Sequence, residues 1–143
     1  MHDDAREALS HLGAENHVYM ATVDGDIPRV RTMTVMRWKD GIYFATDTGS
    51  DKIRQIEANP NVEFLLPLRE GENTGYVRIQ CTASGIADQH TVEELFRAYA
   101  FIGKLWDGPR DPKLRIVRLA PSSLDYLRPG EWSSVKHLTQ ELD

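Results

Sequence analysis

Residues 16–46, NHVYMATVDGDIPRVRTMTVMRWKDGIYFAT, decide the fold that we predict from the sequence. Apolar and polar residues alternate along most of this stretch, which is typical of β-strands with one buried face. Asp24-Gly25 and Asp40-Gly41 interrupt the alternation with dipeptides that favour tight hairpin turns. Strands joined by such short turns run antiparallel, because a parallel neighbour needs a long crossover connection. We therefore predict three consecutive antiparallel strands in this stretch.

Three short helices are predicted around these strands. They cover residues 1–13, residues 50–60 and residues 91–106. Thr91 and Glu94 fit a capping box at the start of the third helix, which carries one continuous apolar stripe. The third segment is therefore predicted as one amphipathic helix over residues 91–106.

Further strands are predicted over residues 61–68, 76–88 and 113–121, and residues 123–128 either extend the last strand or form a seventh. A polar loop is predicted over residues 69–75, which are rich in turn-forming residues. Six mainly antiparallel strands tend to close into a barrel, because closure removes their exposed edges. The predicted fold class is mainly β (α+β), an antiparallel barrel with a few flanking helices.

Length and composition favour one domain over residues 1–143, with a loosely patterned tail over residues 129–143. The net charge is -5, so a nucleic-acid partner is not expected. No apolar run is long enough to span a membrane, and the acidic N-terminus does not resemble a signal peptide. Cys81 is the only cysteine and alternates with apolar residues, so we expect a core thiol in a cytoplasmic protein. The five histidines lack metal-ligand spacing, and no metal site is predicted.

Residues 46–52, TDTGSDK, place several hydrogen-bond donors where a strand leads into a helix. The first backbone N–H groups of a helix are unpaired and favour an anion. Hydroxyl and ammonium donors are added by Thr46, Thr48, Ser50 and Lys52. This chemistry suits a phosphate group. The alternative is that Ser50 only caps the helix and Lys52 is only a surface charge.

Arginines repeat along the second predicted strand. Arg29, Arg31 and Arg37 are expected to share a face, with Met33 and Val35 between them. Arginine with apolar neighbours suits a flat, anionic and partly apolar ligand. The alternative is an amphipathic strand that is exposed to solvent.

Four segments in order resemble a known family: PRVRTMTV at 28–35, DGIYFAT at 40–46, GSDKIRQI at 49–56 and NPNV at 59–62. They are similar to the pyridoxamine 5'-phosphate oxidase-like FMN-binding split barrels, and most similar to the short general-stress-protein type. The resemblance covers about residues 10–128. It implies a six-stranded Greek-key split barrel, a homodimer, and FMN bound at the dimer interface.

The resemblance also implies which residues of the second strand hold the cofactor. Arg31 matches the family arginine that reaches the phosphate or ribityl region of FMN. The backbone of Thr32, Met33 and Thr34 would run along the isoalloxazine ring.

The remaining implied cofactor residues lie in the next two segments of the resemblance and beyond. Thr46, Ser50 and Lys52 match the family residues that bind the phosphate. Tyr76 stands where the longer oxidases place a glutamine that approaches the flavin from the partner subunit. Asp51 departs from the pattern, because those oxidases usually carry an arginine there.

The implied function is an FMN-binding oxidoreductase that acts on a small-molecule substrate, with reduced nicotinamide as a possible electron donor. The chain lacks the C-terminal arginine-histidine segment of true pyridoxamine phosphate oxidases, so oxidation of vitamin B6 is not expected. The alternatives are a deazaflavin-dependent reductase, a non-catalytic flavin-binding dimer for storage or sensing, and a barrel with no cofactor. No catalytic residue is assigned. Trp106 is expected to pack in the core or at a dimer contact, and the alternative is that it forms a wall over a bound ring. Trp132 lies in the tail.

Overall fold

Our computed structural model describes residues 3–131 and 134–138 of the chain, so Trp132 lies outside the described residues. The first element is the predicted N-terminal helix, which is shorter than expected. In chain order the elements are α1 (Asp3–Ser10), β1 (Glu15–Asp24), β2 (Ile27–Trp38), β3 (Gly41–Asp47), α2 (Asp51–Ala58), β4 (Asn61–Glu70), β5 (Asn73–Ile86), α3 (Gln89–Ala98), α4 (Ala100–Leu105), β6 (Leu114–Leu127) and β7 (Lys136–Leu138). Within the described residues, no helix is both long and apolar enough to cross a membrane.

All pairings in the sheet are antiparallel, and the strand order is β3-β2-β1-β4-β5-β6-β7. An additional pairing between β3 and β6 closes the first six strands into a ring. Strand β4 returns after α2 to lie beside β1, which gives the order 4-1-2-3 of a Greek key. The predicted fold class, a mainly β six-stranded antiparallel Greek-key split barrel, is confirmed.

The ring is split because two of its borders are short. Strands β2 and β3 pair only from Met36↔Tyr43 to Trp38↔Gly41, which is three residue pairs. Strands β1 and β4 likewise share three pairs, whereas β1 and β2 share ten. Beyond Met36, β3 diverges from β2 and pairs with β6 over six residues instead. The β3-facing edge of β2 is therefore without a strand partner along residues 27–35 of the described sheet.

Two hydrophobic clusters hold the structure together. The barrel interior contains Met20, Phe44 and Phe64, whose side chains are fully buried. A second cluster lies between the outer face of β2, β3 and β6 and the helices α3 and α4, around Leu95 and Ile102. Burying such side chains stabilises a fold by about 1.5–3 kcal/mol each relative to exposure. Because α3 and α4 form one side of the second cluster, they cover part of the outer barrel face.

The predicted single helix over residues 91–106 is wrong, because Tyr99 has extended backbone angles and separates α3 from α4. The Tyr99 hydroxyl lies 2.9 Å from the Ala14 carbonyl oxygen and 3.0 Å from that of Arg37. The tertiary position of this hydroxyl thus outweighs the helical pattern. The predicted capping box is also wrong, because Asp88 caps α3 by accepting a hydrogen bond from the Thr91 N–H.

Three further sequence predictions concern strand ends. The predicted loop over residues 69–75 is wrong, because β4 and β5 continue into it and meet in a tight turn at Gly71, whose φ is 64°. Gly85, whose φ is 104°, lies at a register shift in the β5–β6 pairing between Ala83 and Ile86. Residues 123–128 mostly extend β6, and β7 forms within the predicted unpatterned tail.

The Glu7 carboxylate fastens helix α1 to the end of β6. Glu7 accepts hydrogen bonds from the Arg128 guanidinium at 2.7 and 3.0 Å and from the Tyr126 hydroxyl. The bonds from Arg128 and then Tyr126 lower the pKa of Glu7 from 4.5 to about 2. Burial and the neighbouring Glu7 raise the pKa of Tyr126 to about 12, so the phenol stays a donor.

Replacing Glu7 by glutamine should lower the free energy of unfolding at pH 7. The folded state prefers the Glu7 carboxylate, so its contribution is complete above pH 4.5 and is lost as the pH falls toward about 2. Urea unfolding of wild type and Glu7→Gln should therefore show a difference that shrinks through this interval. Glu72→Gln, at the exposed β4–β5 turn, is the matched control. If the difference in the free energy of unfolding between wild type and Glu7→Gln were the same at pH 7 and pH 3, the Glu7 carboxylate would not be what fastens α1 to β6.

Candidate functional site

The separation of β2 from β3 opens a cavity of about 370 Å³. We call it the β2 cavity. It lies between the outer face of β1 and β2 and the end of α4. Its lining consists of His17, Val18, Tyr19, Thr32, Met33, Thr34, Ala45, Pro67, Phe101, Leu105 and Trp106. None of these residues is a lysine, arginine, aspartate or glutamate, so the β2 cavity suits a flat and mostly uncharged group.

The predicted ring-binding residues Thr32, Met33 and Thr34 all line the β2 cavity. Trp106 both packs in the second hydrophobic cluster and forms a wall of this cavity. Its indole N–H donates a hydrogen bond to Asp47 Oδ1 at 2.8 Å. This bond ties α4 to the end of β3, so the cavity wall has a fixed position.

Four predicted phosphate-binding residues come together where β3 leads into α2. We call Arg31, Thr46, Ser50 and Lys52 the cationic site. The Lys52 ammonium donates a hydrogen bond to Thr46 Oγ1 at 2.8 Å, and Thr46 Oγ1 lies 3.3 Å from Ser50 Oγ. Ser50 occupies the N-cap position of α2, but its side chain makes no capping hydrogen bond. Its hydroxyl therefore serves the cationic site instead of the helix.

Arg31 is positioned by two residues that the sequence analysis missed. Its guanidinium donates hydrogen bonds to Thr22 Oγ1 at 2.9 Å, Gln55 Oε1 at 3.2 Å and the Met20 carbonyl oxygen at 3.3 Å. Gln55 follows Lys52 by three residues and so shares its face of α2. This three-residue spacing from Lys52 is the sequence signal that could have identified Gln55 as part of the site.

The other two arginines of β2 do not join the cationic site. Arg37 donates a hydrogen bond to the Leu9 carbonyl oxygen at 2.9 Å, which holds α1 against the barrel. Arg29 is exposed and lines a second cavity of about 520 Å³ with Arg31, Lys52 and Gln55. Arg29 and Arg31 therefore line one cavity that Arg37 does not reach, and a ligand role for these arginines stays a prediction.

The cationic site carries positive charge that is not neutralised by a direct ion pair. In the described part of the chain, the hydrogen bonds of Arg31 and Lys52 go to neutral oxygen atoms. Burial, and then the charge of Arg31, lower the pKa of Lys52, and burial lowers the pKa of Arg31. Asp47 and then Asp51 oppose the shift of Lys52, and Asp51 opposes that of Arg31 from its exposed place at the start of α2. A bound anion would stabilise both cations.

Two residues of the predicted site, Thr48 and Tyr76, are not brought to the others, and the Thr48 hydroxyl donates to the Pro112 carbonyl oxygen at 2.9 Å instead. Tyr76 lies on β5 opposite Pro67, which lines the β2 cavity, and the Arg78 guanidinium lies 5.4 Å from the centre of the Tyr76 ring. Tyr76 itself lines neither cavity. Its predicted role requires a partner subunit and stays a prediction.

Among the described residues, Cys81 and the potential metal ligands do not form a second site. Cys81 is buried, as predicted, and burial raises the pKa of its thiol to about 12, so it is a poor nucleophile at neutral pH. Over residues 3–131 and 134–138, no group of three His, Cys, Asp or Glu side chains could hold a metal ion.

Trp106→Phe should destabilise the fold more than Trp38→Phe. Both tryptophans belong to the second hydrophobic cluster, but Trp38 Nε1 is buried without a hydrogen-bond partner among the described residues. Trp106→Phe loses a bond to a carboxylate and should therefore cost about 1.5 kcal/mol more. Urea unfolding measures the free energies, and hydrogen exchange should show faster opening of α4 only in Trp106→Phe. Equal losses would mean that the Trp106–Asp47 bond does not fix the cavity wall.

Comparison with known proteins places the chain in a family. The model of the pyridoxamine 5'-phosphate oxidase family matches residues 1–128. General stress protein 26 of Bacillus subtilis (strain 168) is 29% identical over 117 residues, which cover 81% of this chain and 82% of that protein. General stress protein 26 from Bacillus anthracis str. Sterne has a similar structure, with a TM-score of 0.74, 23% identity and coverage of 94% of this chain and 98% of that chain. An FAD-binding protein from Mesorhizobium loti has a TM-score of 0.64, with 15% identity and coverage of 85% and 87%. Because the family model spans most of the sequence, the chain belongs to the pyridoxamine 5'-phosphate oxidase family.

Proposed function

We propose that the protein is an FMN-binding oxidoreductase that acts on a small molecule. The observation that carries this proposal is the cationic site beside the unpaired edge of β2. One end of this region offers positive charge for a phosphate, and the other offers an uncharged cavity for a flat ring. FMN has both parts in one molecule.

The β2 cavity supports the ring part of the proposal. The unpaired edge of β2 offers backbone N–H and C=O groups from residues 32–34, which can pair with the polar atoms of an isoalloxazine ring. Phe101 and Trp106 offer apolar walls that exclude water from one side. When bound, the flavin would supply the electron-transfer chemistry, and these residues would orient it.

The cationic site supports the phosphate part. Lys52 and Arg31 supply charge, and the hydroxyls of Thr46 and Ser50 supply further hydrogen bonds. Charge-assisted hydrogen bonds of this kind are about twice as strong as neutral ones. The FAD-binding relative is consistent with a flavin as the ligand. Oxidation of vitamin B6 is not the expected activity, because the chain lacks the arginine-histidine segment of true pyridoxamine phosphate oxidases.

Removing the Lys52 ammonium should weaken FMN binding by roughly 10- to 100-fold, because one charge-assisted contact contributes roughly 1.5–3 kcal/mol. Riboflavin lacks the phosphate, so its affinity for Lys52→Ala should change little. Asp51→Arg should strengthen FMN binding, because it replaces a repelling charge near the cationic site with an attracting one. Quenching of flavin fluorescence during titration measures both affinities.

Lys113→Ala removes an exposed ammonium outside both cavities and serves as the matched control. Both predicted effects should shrink at high salt, because the site is partly open to solvent. Equal losses for FMN and riboflavin in Lys52→Ala would contradict a phosphate contact. If the protein bound a deazaflavin more tightly than FMN, the proposed cofactor would be a deazaflavin. If FMN bound but reduced nicotinamide were not oxidised, a storage or sensing role would be favoured.

We also propose that the protein forms a homodimer that covers the β2 cavity. Tyr19 and Leu105 line the β2 cavity and are 51% and 67% exposed, and Val30, which lines the neighbouring cavity with Arg31 and Lys52, is 71% exposed. Exposed apolar groups clustered near a cavity favour a protein contact. A partner subunit would shield a bound ring from water and could bring its own Tyr76 to it. We further propose a cytoplasmic location, which suits the unpaired Cys81 thiol.

Sedimentation at micromolar concentration should show a dimer for the wild type. Val30→Ser should shift the protein toward monomer and weaken FMN binding, because it removes apolar contact area at an exposed position without adding a charge to the cavity that Val30 shares with Arg31 and Lys52. Circular dichroism checks that the fold is retained. A wild-type monomer that still binds FMN would contradict both the dimer and an interfacial cofactor.

A further inference from the structure

A buried polar pair lies directly behind the cationic site. Thr22 is 1% exposed and Gln55 is 4% exposed, although both side chains are polar. The Thr22 hydroxyl donates a hydrogen bond to Gln55 Oε1, and Arg31 Nη2 donates to both of these oxygens. Buried polar groups are stable only when their hydrogen bonds are made. The three side chains therefore form one closed network from β1, β2 and α2.

This network fixes the orientation of the Gln55 amide. The guanidinium and the hydroxyl both donate, so the amide must turn its oxygen toward them and its NH₂ group away. Within the described ranges, both hydrogen bonds of the Gln55 side chain use Oε1. Gln55 lines the same 520 Å³ cavity as Arg31 and Lys52. Its amide N–H groups are therefore available to an acceptor in that cavity.

An amide at position 55 has a different consequence from a carboxylate of the same shape. Glutamate would form an ion pair with Arg31 and would cancel its charge toward the cavity. Glutamine holds the same guanidinium through neutral hydrogen bonds, so the positive charge remains available. We propose that Gln55 is a specificity-determining residue that positions Arg31 without neutralising it and thereby makes the cationic site select a dianionic phosphate monoester.

The charges around the cavity agree with this ligand class. Arg31 and Lys52 face it with two positive charges, and Arg29 adds a third at its exposed side. Of the two aspartates that line it, Asp24 is paired with Arg54 at 3.4 Å, and Asp51 is exposed. A phosphate monoester carries close to two negative charges at neutral pH. This inference rests on the proposed function, because FMN is such a monoester.

The test compares FMN with riboflavin in Gln55→Glu, by fluorescence titration of the full chain. Gln55→Glu should lose FMN affinity by roughly 10- to 100-fold, because the new carboxylate neutralises Arg31 and repels the phosphate. Riboflavin affinity should change less than about 3-fold, since no charged contact is lost. The FMN preference of the wild type should fall with added salt, and that of Gln55→Glu should depend less on salt.

Two variants separate charge from position. Gln80→Glu makes the same change of charge at an exposed residue of β5 that lines neither the β2 cavity nor the cationic site's cavity, and it should leave the FMN preference unchanged. Gln55→Met keeps the side-chain length without hydrogen bonds, so it should weaken FMN less than Gln55→Glu does. If Gln55→Glu does not fold, Gln55→Met and Thr22→Val should still reduce the FMN preference over riboflavin, because each frees Arg31.

The outcomes distinguish this inference from the proposed function. A wild type that binds FMN and riboflavin equally would overturn the phosphate contact itself, and the inference with it. A wild type that prefers FMN, with the same preference in Gln55→Glu, would overturn only the role of Gln55. Equal FMN losses in Gln55→Glu and Gln55→Met would reduce that role to packing and would also overturn the charge preference.

Discussion

The structure depends on the early separation of β3 from β2. These strands share three residue pairs, and β3 then pairs with β6 over six residues. Closing the ring in this way satisfies the backbone of β3, but it leaves one edge of β2 without a strand partner. An unpaired strand edge needs other hydrogen-bond partners or water. The β2 cavity lies at this edge, so the barrel's closure and its candidate ligand site have the same cause.

The helices adapt to this opening. Met36 faces outward where β2 is still paired, and α3 and α4 cover it in the second hydrophobic cluster. The break at Tyr99 allows α4 to change direction, and the Trp106–Asp47 hydrogen bond then fastens its end to β3. Beyond Met36, α4 faces the outer side of β2 only across the β2 cavity, through Phe101 and Leu105. Tyr19 and Leu105, which line this cavity, therefore remain exposed.

The cationic site shows how a fold can keep two like charges close together. Burial lowers the preference of both Arg31 and Lys52 for the charged form, and the charge of Arg31 adds to this cost at Lys52. Neutral oxygens from Thr22, Gln55 and Thr46 hold them in place without cancelling their charge. Such an arrangement costs free energy in the absence of a ligand. An anion would recover that free energy, which links the geometry to phosphate binding.

The sequence by itself determined the local features: the hairpins around β2, the antiparallel direction of neighbouring strands, and the hydrogen-bond donors gathered in residues 46–52. These depend on alternation and turn residues within short segments, which act through neighbouring positions. Only the tertiary structure decided the burial of Gln55 against Arg31, the helix break at Tyr99 and the addition of β7 to the sheet. Each of these depends on contacts between residues that are distant in the chain. Tyr99 reaches the carbonyl oxygen of Ala14 across 85 positions, and no local pattern encodes such a contact.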